Sequence, residues 1–513
     1  MWAYPEIRTL GDVPSFYARR DPERIALRFE NHMFTYAALD TSARNVCAML
    51  LGRGVGPGDR VGFFGRNSPG FYAALFGTAR TRACFMPINW RLSVPELAAL
   101  LLDSALRIAI VDRGVEQPLL AAAASAGVEI DLLFVDEIEA GSVSSPVEPV
   151  VSEEDAALQL YTSGTTGKPK GVVMSHGGFN RMRLSEHLEP AFDWQEGDSF
   201  LNPLPNFHLL HLGIAMQCLY SGVSVTILPQ FDPADVLSAL QRTRATLLTL
   251  TPTMLQMLLD HPAATDTDFS SLRLCLYAGS PVSLGLITRA MASMPCGFMQ
   301  FYGATEAGGA FSILRPSEHD LSNEQRLQSC GRPLPLIEFA IRDEDGNDIL
   351  DDQPGELWIR SPAIMAGYFH QPEATAAALV YGWYRSGDVA RRDEEGFYYL
   401  VDRLKDMIVS GGENIYSAEI ENALSTHDAV ASVAVVGVPD ARWGEAVKAI
   451  VVLREGRRCS EGELVEHCRK RLASYKVPKS VDFVLSLPLL PSGKISKKDL
   501  RAIYWGTSGR AVA

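Results

Sequence analysis

At 513 residues the chain is too long for a single hydrophobic core, so two or more domains are expected. Apolar residues make up 47% and charged residues 21%, a globular balance, and the formal net charge is −14. That acidity excludes a general nucleic-acid binder, because neutralising phosphates needs clustered Lys and Arg. Eight scattered cysteines without a CxxC pair argue against a disulfide framework or a zinc site. The opening MWAYPEIRTLGDVP carries charges where a signal peptide needs its apolar stretch, and no apolar run is long enough to span a bilayer. The expectation is a cytoplasmic protein, with peripheral membrane contact left open.

Taken in chain order, FTYAALDTSARNVCAMLL has helical spacing after Thr35, and VGFFG reads as a short buried strand. FYAALFGTARTRA is a second helix, CFMPIN a second strand, and PELAALLLDSA leads into the strand RIAIVD. The alanine-rich AAAASAG reads as a helix end. The same rhythm recurs from SVTILP through DVLSALQRTRA to LLTLTP, and around LRLCLYAG. Such βα alternation predicts an α/β fold with a mostly parallel sheet and helices on its faces.

Near residue 340 the texture changes. FAIRDEDGNDIL, GELWIRSP and GFYYLVDR are short strands separated by DG, PG and EEG turns, as in a small antiparallel barrel or sheet. After DRLKD a further α+β unit is expected: SAEIENALSTH and GELVEHCRKRLA as helices, VASVAVVGVPD and AVKAIVVL as strands. The boundary falls at Lys405, giving a large body over 1–404 and a small lid over 405–513.

The sharpest chemical signal is Tyr161 to Gly171, YTSGTTGKPKG, between two strand-like segments. Glycines and small hydroxylated residues at this density let backbone N–H groups curl round an anion, with Ser and Thr hydroxyls as further donors. It is not a Walker loop, which needs Lys followed by Ser or Thr opening a helix; here Pro169 follows Lys168 and favours extended chain. A flexible surface hairpin would suffice for a lone glycine-rich loop, but not for this string.

The string resembles the phosphate loop of the adenylate-forming superfamily, which comprises acyl- and aryl-CoA synthetases, peptide-synthetase adenylation domains and beetle luciferases. AGSPVS (278–283), QFYGATEAGG (300–309), GELWIRSP (355–362), YRSGDVARRDEEGFYYLVDRLKDMI (384–408), SGGENIYSAEIE (410–421) and PSGKISK (491–497) follow in the family's order. The resemblance runs from about Phe34 to Leu500. It implies an acid–CoA ligase that uses ATP, Mg²⁺ and CoA and passes through an acyl adenylate.

The resemblance assigns roles residue by residue. Thr162, Ser163, Gly164, Thr165, Thr166 and Lys170 would cradle phosphates, with Thr166 also near the metal. Tyr302 and Gly303 would lie at the adenine face, Thr305 on the α-phosphate and Glu306 on Mg²⁺, a hard cation suited to a carboxylate. Gly279, Ser280 and Pro281 would line the other side of the adenine, a plain turn being the equal alternative. Asp388 would grip the ribose hydroxyls and Arg403 the ribose and phosphate; singly, either could be half of a surface salt bridge. Lys494 would bridge the substrate carboxylate, α-phosphate and ribose, lowering the repulsion between two anions. Lys497 and Lys498 read as surface charges. Pro488 through Lys494 also resembles the setting in which some CoA ligases are silenced by lysine acetylation, which would remove the charge of Lys494.

Lys405 stands at the family's hinge position, about which the lid would present first Lys494 and then Gly411 and Gly412 of SGGEN to the pantetheine. Trp443, Tyr475, Lys479 and Arg91 are expected to contact CoA, with core packing an equal alternative for Trp443 and Tyr475; a basic residue of that pattern is replaced by Val477. NFHLLHLG resembles the segment whose first histidine lines the substrate channel, so His208 would gate the acid or CoA, while His211 reads as a core histidine. Leu209, Leu210, Leu250, Thr251, Pro252, Phe301, Gly303, Gly308 and Gly309 are the other expected walls. None is charged, which favours a fatty or aromatic monocarboxylate, because a second buried carboxylate would go unpaired. Transfer of the acyl group to a carrier protein, and an inactive acyl- or nucleotide-binding homologue, are the competing expectations.

Overall fold

The computed structural model describes residues 4–140, 147–162, 169–349, 352–404, 406–410, 413–440, 442–489 and 495–505. Two large sheets carry most of the body. A nine-stranded sheet has a parallel centre from Ile25–Phe29 through Ser224–Ile227, Ser199–Asn202, Leu247–Leu250 and Leu274–Ala278 to Gly297–Ala304, with antiparallel strands at both edges. A seven-stranded sheet runs from Gly367–Tyr368 across Lys170–Ser175, Ala156–Thr162 and Cys84–Pro87 to Asp131–Phe134. Short parallel strands such as Ile108–Val111 are buried throughout, as a sheet covered by helices on both faces requires.

Local chemistry sets the helix ends. Thr35 accepts a hydrogen bond from Ala38 N and starts the Tyr36–Gly52 helix; Ser68 does the same for Pro69–Thr78. That second helix stops at Thr78, short of the expected ARTRA tail, and the chain turns there through Thr81 Oγ1, which donates to Thr78 O. Gly127, at φ 65°, closes the alanine-rich helix Gln117–Ala126.

The change of texture near residue 340 is a five-stranded antiparallel sheet: Glu338–Arg342, Gly355–Arg360, Trp383–Arg392 and Leu379–Val380, with Tyr398–Arg403 on the flank of the long strand. The central Trp383–Arg392 strand has little apolar alternation, so the sequence pattern alone does not mark it. Beyond it Ile408, Ile420, Val435, Ala449, Leu464 and Val477 form a core of their own, under a second five-stranded sheet. An additional helix, Lys497–Trp505, was not expected from the sequence; Leu500 is its buried apolar residue. No helix among the described residues is long and apolar enough to cross a membrane.

His211 is a core residue. It is fully buried in the Leu209–Tyr220 helix, 2.7 Å from Leu204 O through Nδ1 and 3.1 Å from the Tyr72 hydroxyl through Nε2. Burial pushes its pKa down to about 4. In the unfolded chain a histidine titrates near 6.5, so between these values the unfolded state binds more protons. Stability is therefore full above about pH 6.5 and falls as pH drops toward 4, by on the order of 3 kcal/mol from this residue. Thermal unfolding across that window should show a steeper fall for the wild type than for His211→Gln. Parallel profiles would contradict the assignment.

Candidate functional site

The glycine-rich string spans a hairpin. Ala156–Thr162 and Lys170–Ser175 pair antiparallel with Thr162 opposite Lys170, so residues 163–169 join two paired strand ends. Ser163, Gly164, Thr165 and Thr166 lie outside the described residues, but the ends place what they join. Thr162 Oγ1 donates to Glu306 Oε1 at 3.2 Å, and Tyr368 donates to the same oxygen at 3.2 Å. Lys170 Nζ sits 4.6 Å from the centre of the Tyr368 ring.

Glu306 occupies a single 3₁₀ turn, Thr305–Ala307, at the end of Gly297–Ala304. Gly308 follows at φ 94°, where a Cβ would come 2.4 Å from Ala363 O, so only glycine lets the chain pass. Met365 N donates to Glu306 O at 2.9 Å and holds the turn against the strand Gly367–Tyr368. Tyr368 is a residue that sequence reasoning missed: AGYFH has no periodic pattern, and its role emerges only from pairing with the Lys170 strand.

On the other side of the turn, Tyr302 donates to Asp388 Oδ2 at 2.5 Å, and Arg403 Nε donates to Asp388 Oδ1 at 3.1 Å. Asp388 and Arg403 are register partners on adjacent strands. Burial and the Asp388 charge hold the Tyr302 phenol well above its ordinary pKa, so it remains a donor. Its ring meets Phe311 edge-on at 5.0 Å. Gly279, at φ 98°, leaves Leu274–Ala278 with Ser280 and Pro281 part-exposed or exposed beside it.

A carboxylate facing two hydroxyls suits a hard divalent cation such as Mg²⁺, and Glu306 is the residue that would hold it. No group of three or more potential metal-binding side chains occurs among the described residues. Thr166, the other expected metal neighbour, lies outside the described residues.

The expected acyl walls divide. Leu209, Phe301 and Leu210 belong to one core, and Gly309, at φ 130°, has Leu209 Cδ2 as its neighbour. Leu250 does not join them: it is fully buried in a separate core with Val236 and Leu255, because alternate residues of Leu247–Leu250 face opposite sides. Thr251 and Pro252 cap the next helix, with Thr251 accepting from Met254 N. His208 stands at the N-cap of Leu209–Tyr220, its ring 4.7 Å from Phe207. Arg91 lies over Trp90 and Phe207 at 5.1 and 5.9 Å, and burial lowers its pKa.

Trp443 and Tyr475 are not core residues; they are 42% and 44% exposed. Arg442 stacks over Trp443 at 4.6 Å, and Lys479 is exposed nearby in sequence to Tyr475. Val477 is 5% exposed and packs into the C-terminal core. Lys405, Gly411, Gly412 and Lys494 lie outside the described residues.

Lys497 corrects the sequence reading. It is no surface charge: Nζ pairs with Glu421 Oε1 at 2.8 Å and donates to Ser417 Oγ at 2.6 Å. Ser417 in turn donates from N and Oγ to Asp402 Oδ2 at 2.5 and 2.9 Å, and Arg501 pairs with Asp406 at 2.6 Å. The helix after the SGK string is thus tied to residues on both sides of position 405. Removing Lys497 leaves two carboxylates with little solvent, which costs about 3 kcal/mol or more. Lys497→Met should lower the thermal midpoint by several degrees, while the exposed Lys498→Met stays near wild type; equal midpoints would contradict the network.

Comparisons with known proteins identify the family. The AMP-binding enzyme family model matches residues 16–369, and that of the AMP-binding enzyme C-terminal domain matches residues 419–494. The fatty acid–[acyl-carrier-protein] ligase ScoC of Streptomyces coeruleorubidus is 36% identical, covering 99% of each chain. A feruloyl-CoA synthase of an Amycolatopsis species is 38% identical over 96% of this chain and 98% of its own. The o-succinylbenzoate CoA synthetase of Bacillus subtilis, solved with its acyl-adenylate intermediate, superposes with a TM-score of 0.86 at 31% identity, covering 95% of this chain and 97% of that one. With the Glu306 turn and the Asp388–Arg403 pair in one site, the chain belongs to the AMP-binding enzyme family and is an acid–thiol ligase of its acyl- and aryl-CoA ligase branch.

Proposed function

We propose that the protein joins an apolar monocarboxylic acid, of fatty or aromatic type, to CoA in two steps at one centre, with the lid turning about Lys405 between them. The observation that carries this is the convergence of Thr162, Tyr368 and Glu306 on one side of a strand end and Tyr302, Asp388 and Arg403 on the other. The first group faces phosphate and cation, the second the ribose.

In the first step a carboxylate oxygen of the acid attacks the α-phosphorus of ATP and pyrophosphate leaves. Lys494 and Arg403 offset the repulsion between the two anions, and the glycine-rich segment holds the phosphates. A divalent cation on Glu306 would supply charge neutralisation of the phosphates. In the second step the CoA sulfur attacks the acyl carbon and AMP leaves with the bonding pair. The exposed Trp443, Tyr475 and Lys479 are the residues offered to CoA, with Arg91 beside Phe207 on the body. Uncharged Leu209, Leu210 and Phe301 favour acids with an apolar body, each buried methylene contributing about 0.8 kcal/mol.

A second acceptor has a specific basis. ScoC, whose partner is an acyl carrier protein, matches almost the whole chain. A panel of acids assayed for AMP decides: AMP release with CoA consumed supports the ligase proposed here, and AMP release only with a phosphopantetheinylated carrier supports the second. Acetylation of Lys494 is expected to silence adenylation by removing its charge.

Two variants test the roles. Lys494→Ala should slow adenylation by on the order of a hundred-fold or more while still converting supplied acyl adenylate and CoA to thioester. Asp388→Asn should raise KM for ATP by roughly ten-fold or more, the scale of one charge-assisted hydrogen bond. Equal loss of both half-reactions in the first, or an unchanged KM in the second, would contradict the assignments.

A further inference from the structure

Opposite charges on Lys170 and Glu306 come to the same corner of the site, yet the ammonium rests on a ring instead of a carboxylate. Thr162 and Lys170 are register partners in the hairpin, so their side chains leave one face of the seven-stranded sheet. Tyr368 pairs with Val172, two residues beyond Lys170, and shares that face. All three side chains are half-buried, as is Glu306. Both hydroxyls reach Glu306 Oε1, whereas Lys170 Nζ lies 4.6 Å from the centre of the Tyr368 ring and pairs with no carboxylate among the described residues.

Backbone on both sides holds that ring in place. Ala366 N donates to Val173 O at 2.8 Å and Phe369 N to Gly171 O at 2.7 Å, which seats the short strand Gly367–Tyr368 along Lys170–Ser175. Tyr368 N also donates to Thr375 Oγ1 at 2.9 Å. The two hydroxyls occupy Oε1 of Glu306, and among the described residues no hydrogen bond falls on Oε2.

An aromatic face attracts an ammonium more weakly than a carboxylate does. With the ring removed, Lys170 would turn to Glu306 and form an ion pair. A carboxylate neutralised in this way is a poorer ligand for a divalent cation, whose affinity follows the charge of its ligands.

We propose that Tyr368 is a positioning residue for the divalent cation. Its ring keeps the Lys170 ammonium from pairing with Glu306, so Oε2 stays free for the metal and Lys170 stays free for phosphate. The inference rests on the reading that Glu306 holds the cation, and adds what keeps the carboxylate available to it.

The test is the affinity of the full-length protein for α,β-methylene-ATP, which cannot be cleaved at the bond the reaction breaks. Calorimetry measures it once with Mg²⁺ and once with EDTA. The ratio of the two affinities reads the metal, whereas a general loss of nucleotide binding lowers both and leaves the ratio unchanged. Tyr368→Leu should lower the ratio by about ten-fold, the scale on which one charge-assisted contact is lost. In a Lys170→Met background the same change should alter it by less than about two-fold, because the two residues then no longer couple. Tyr368→Phe keeps the ring and should stay within about two-fold of wild type. Equal loss in both lysine backgrounds would overturn the proposal. So would loss of the metal dependence in Tyr368→Phe, which decides alone if Tyr368→Leu does not fold. A wild-type ratio of one would show instead that Glu306 holds no cation, and the inference would fall with that reading.

Discussion

Everything in the site depends on one oxygen of Glu306 accepting two hydroxyls from different parts of the chain. Thr162 comes from the hairpin of the seven-stranded sheet, Tyr368 from its edge strand, and Glu306 itself from the end of the nine-stranded sheet. The two sheets are built from distant sequence and each has its own packing. The shared acceptor fixes the Thr162 end of the glycine-rich segment against the turn that carries Glu306, the carboxylate proposed to hold a divalent cation. Gly308 makes that possible, since any side chain there would strike Ala363 and push the turn away. Charge and shape therefore meet at a point where backbone freedom is already spent.

The antiparallel sheet contributes the opposite wall. Asp388 sits between the Tyr302 hydroxyl and the Arg403 guanidinium, so its carboxylate is aligned before any ligand arrives. Such preorganisation reduces the entropy lost on binding. From Arg403 the chain runs directly into the Asp402–Ser417–Lys497 and Asp406–Arg501 contacts. The Lys497–Trp505 helix is thus tied to residues on both sides of position 405, to Ser417 and Glu421 directly and to Asp402 through Ser417.

Much of this was legible in the sequence. The βα rhythm reports buried parallel strands because helix and strand periods differ, and the ordered strings from YTSGTTGKPKG to PSGKISK carry the family resemblance. What the sequence could not show depends on tertiary pairing. Tyr368 has no local pattern and acts through an edge strand. Lys497 looks like any charge beside Lys498, and only folding places Glu421 and Ser417 around it. Leu250 illustrates the converse: an apolar residue on a buried strand fits either face, and one residue of register decides which core it enters. The ion pair Arg183–Glu186 was likewise invisible, because its residues lie in a helix that otherwise reads as ordinary, and only folding buries both.

The central claim is that the acid is activated through its own oxygen on the α-phosphorus of ATP. Supplying an acid labelled with ¹⁸O in its carboxylate, and measuring the label in the products by mass spectrometry, tests it directly. The account predicts one ¹⁸O in AMP and none in pyrophosphate, because the attacking oxygen stays on phosphorus when the CoA sulfur displaces AMP. Unlabelled AMP in a turnover that consumes the acid and CoA, or label in a phosphate released from the other end of ATP, would contradict it.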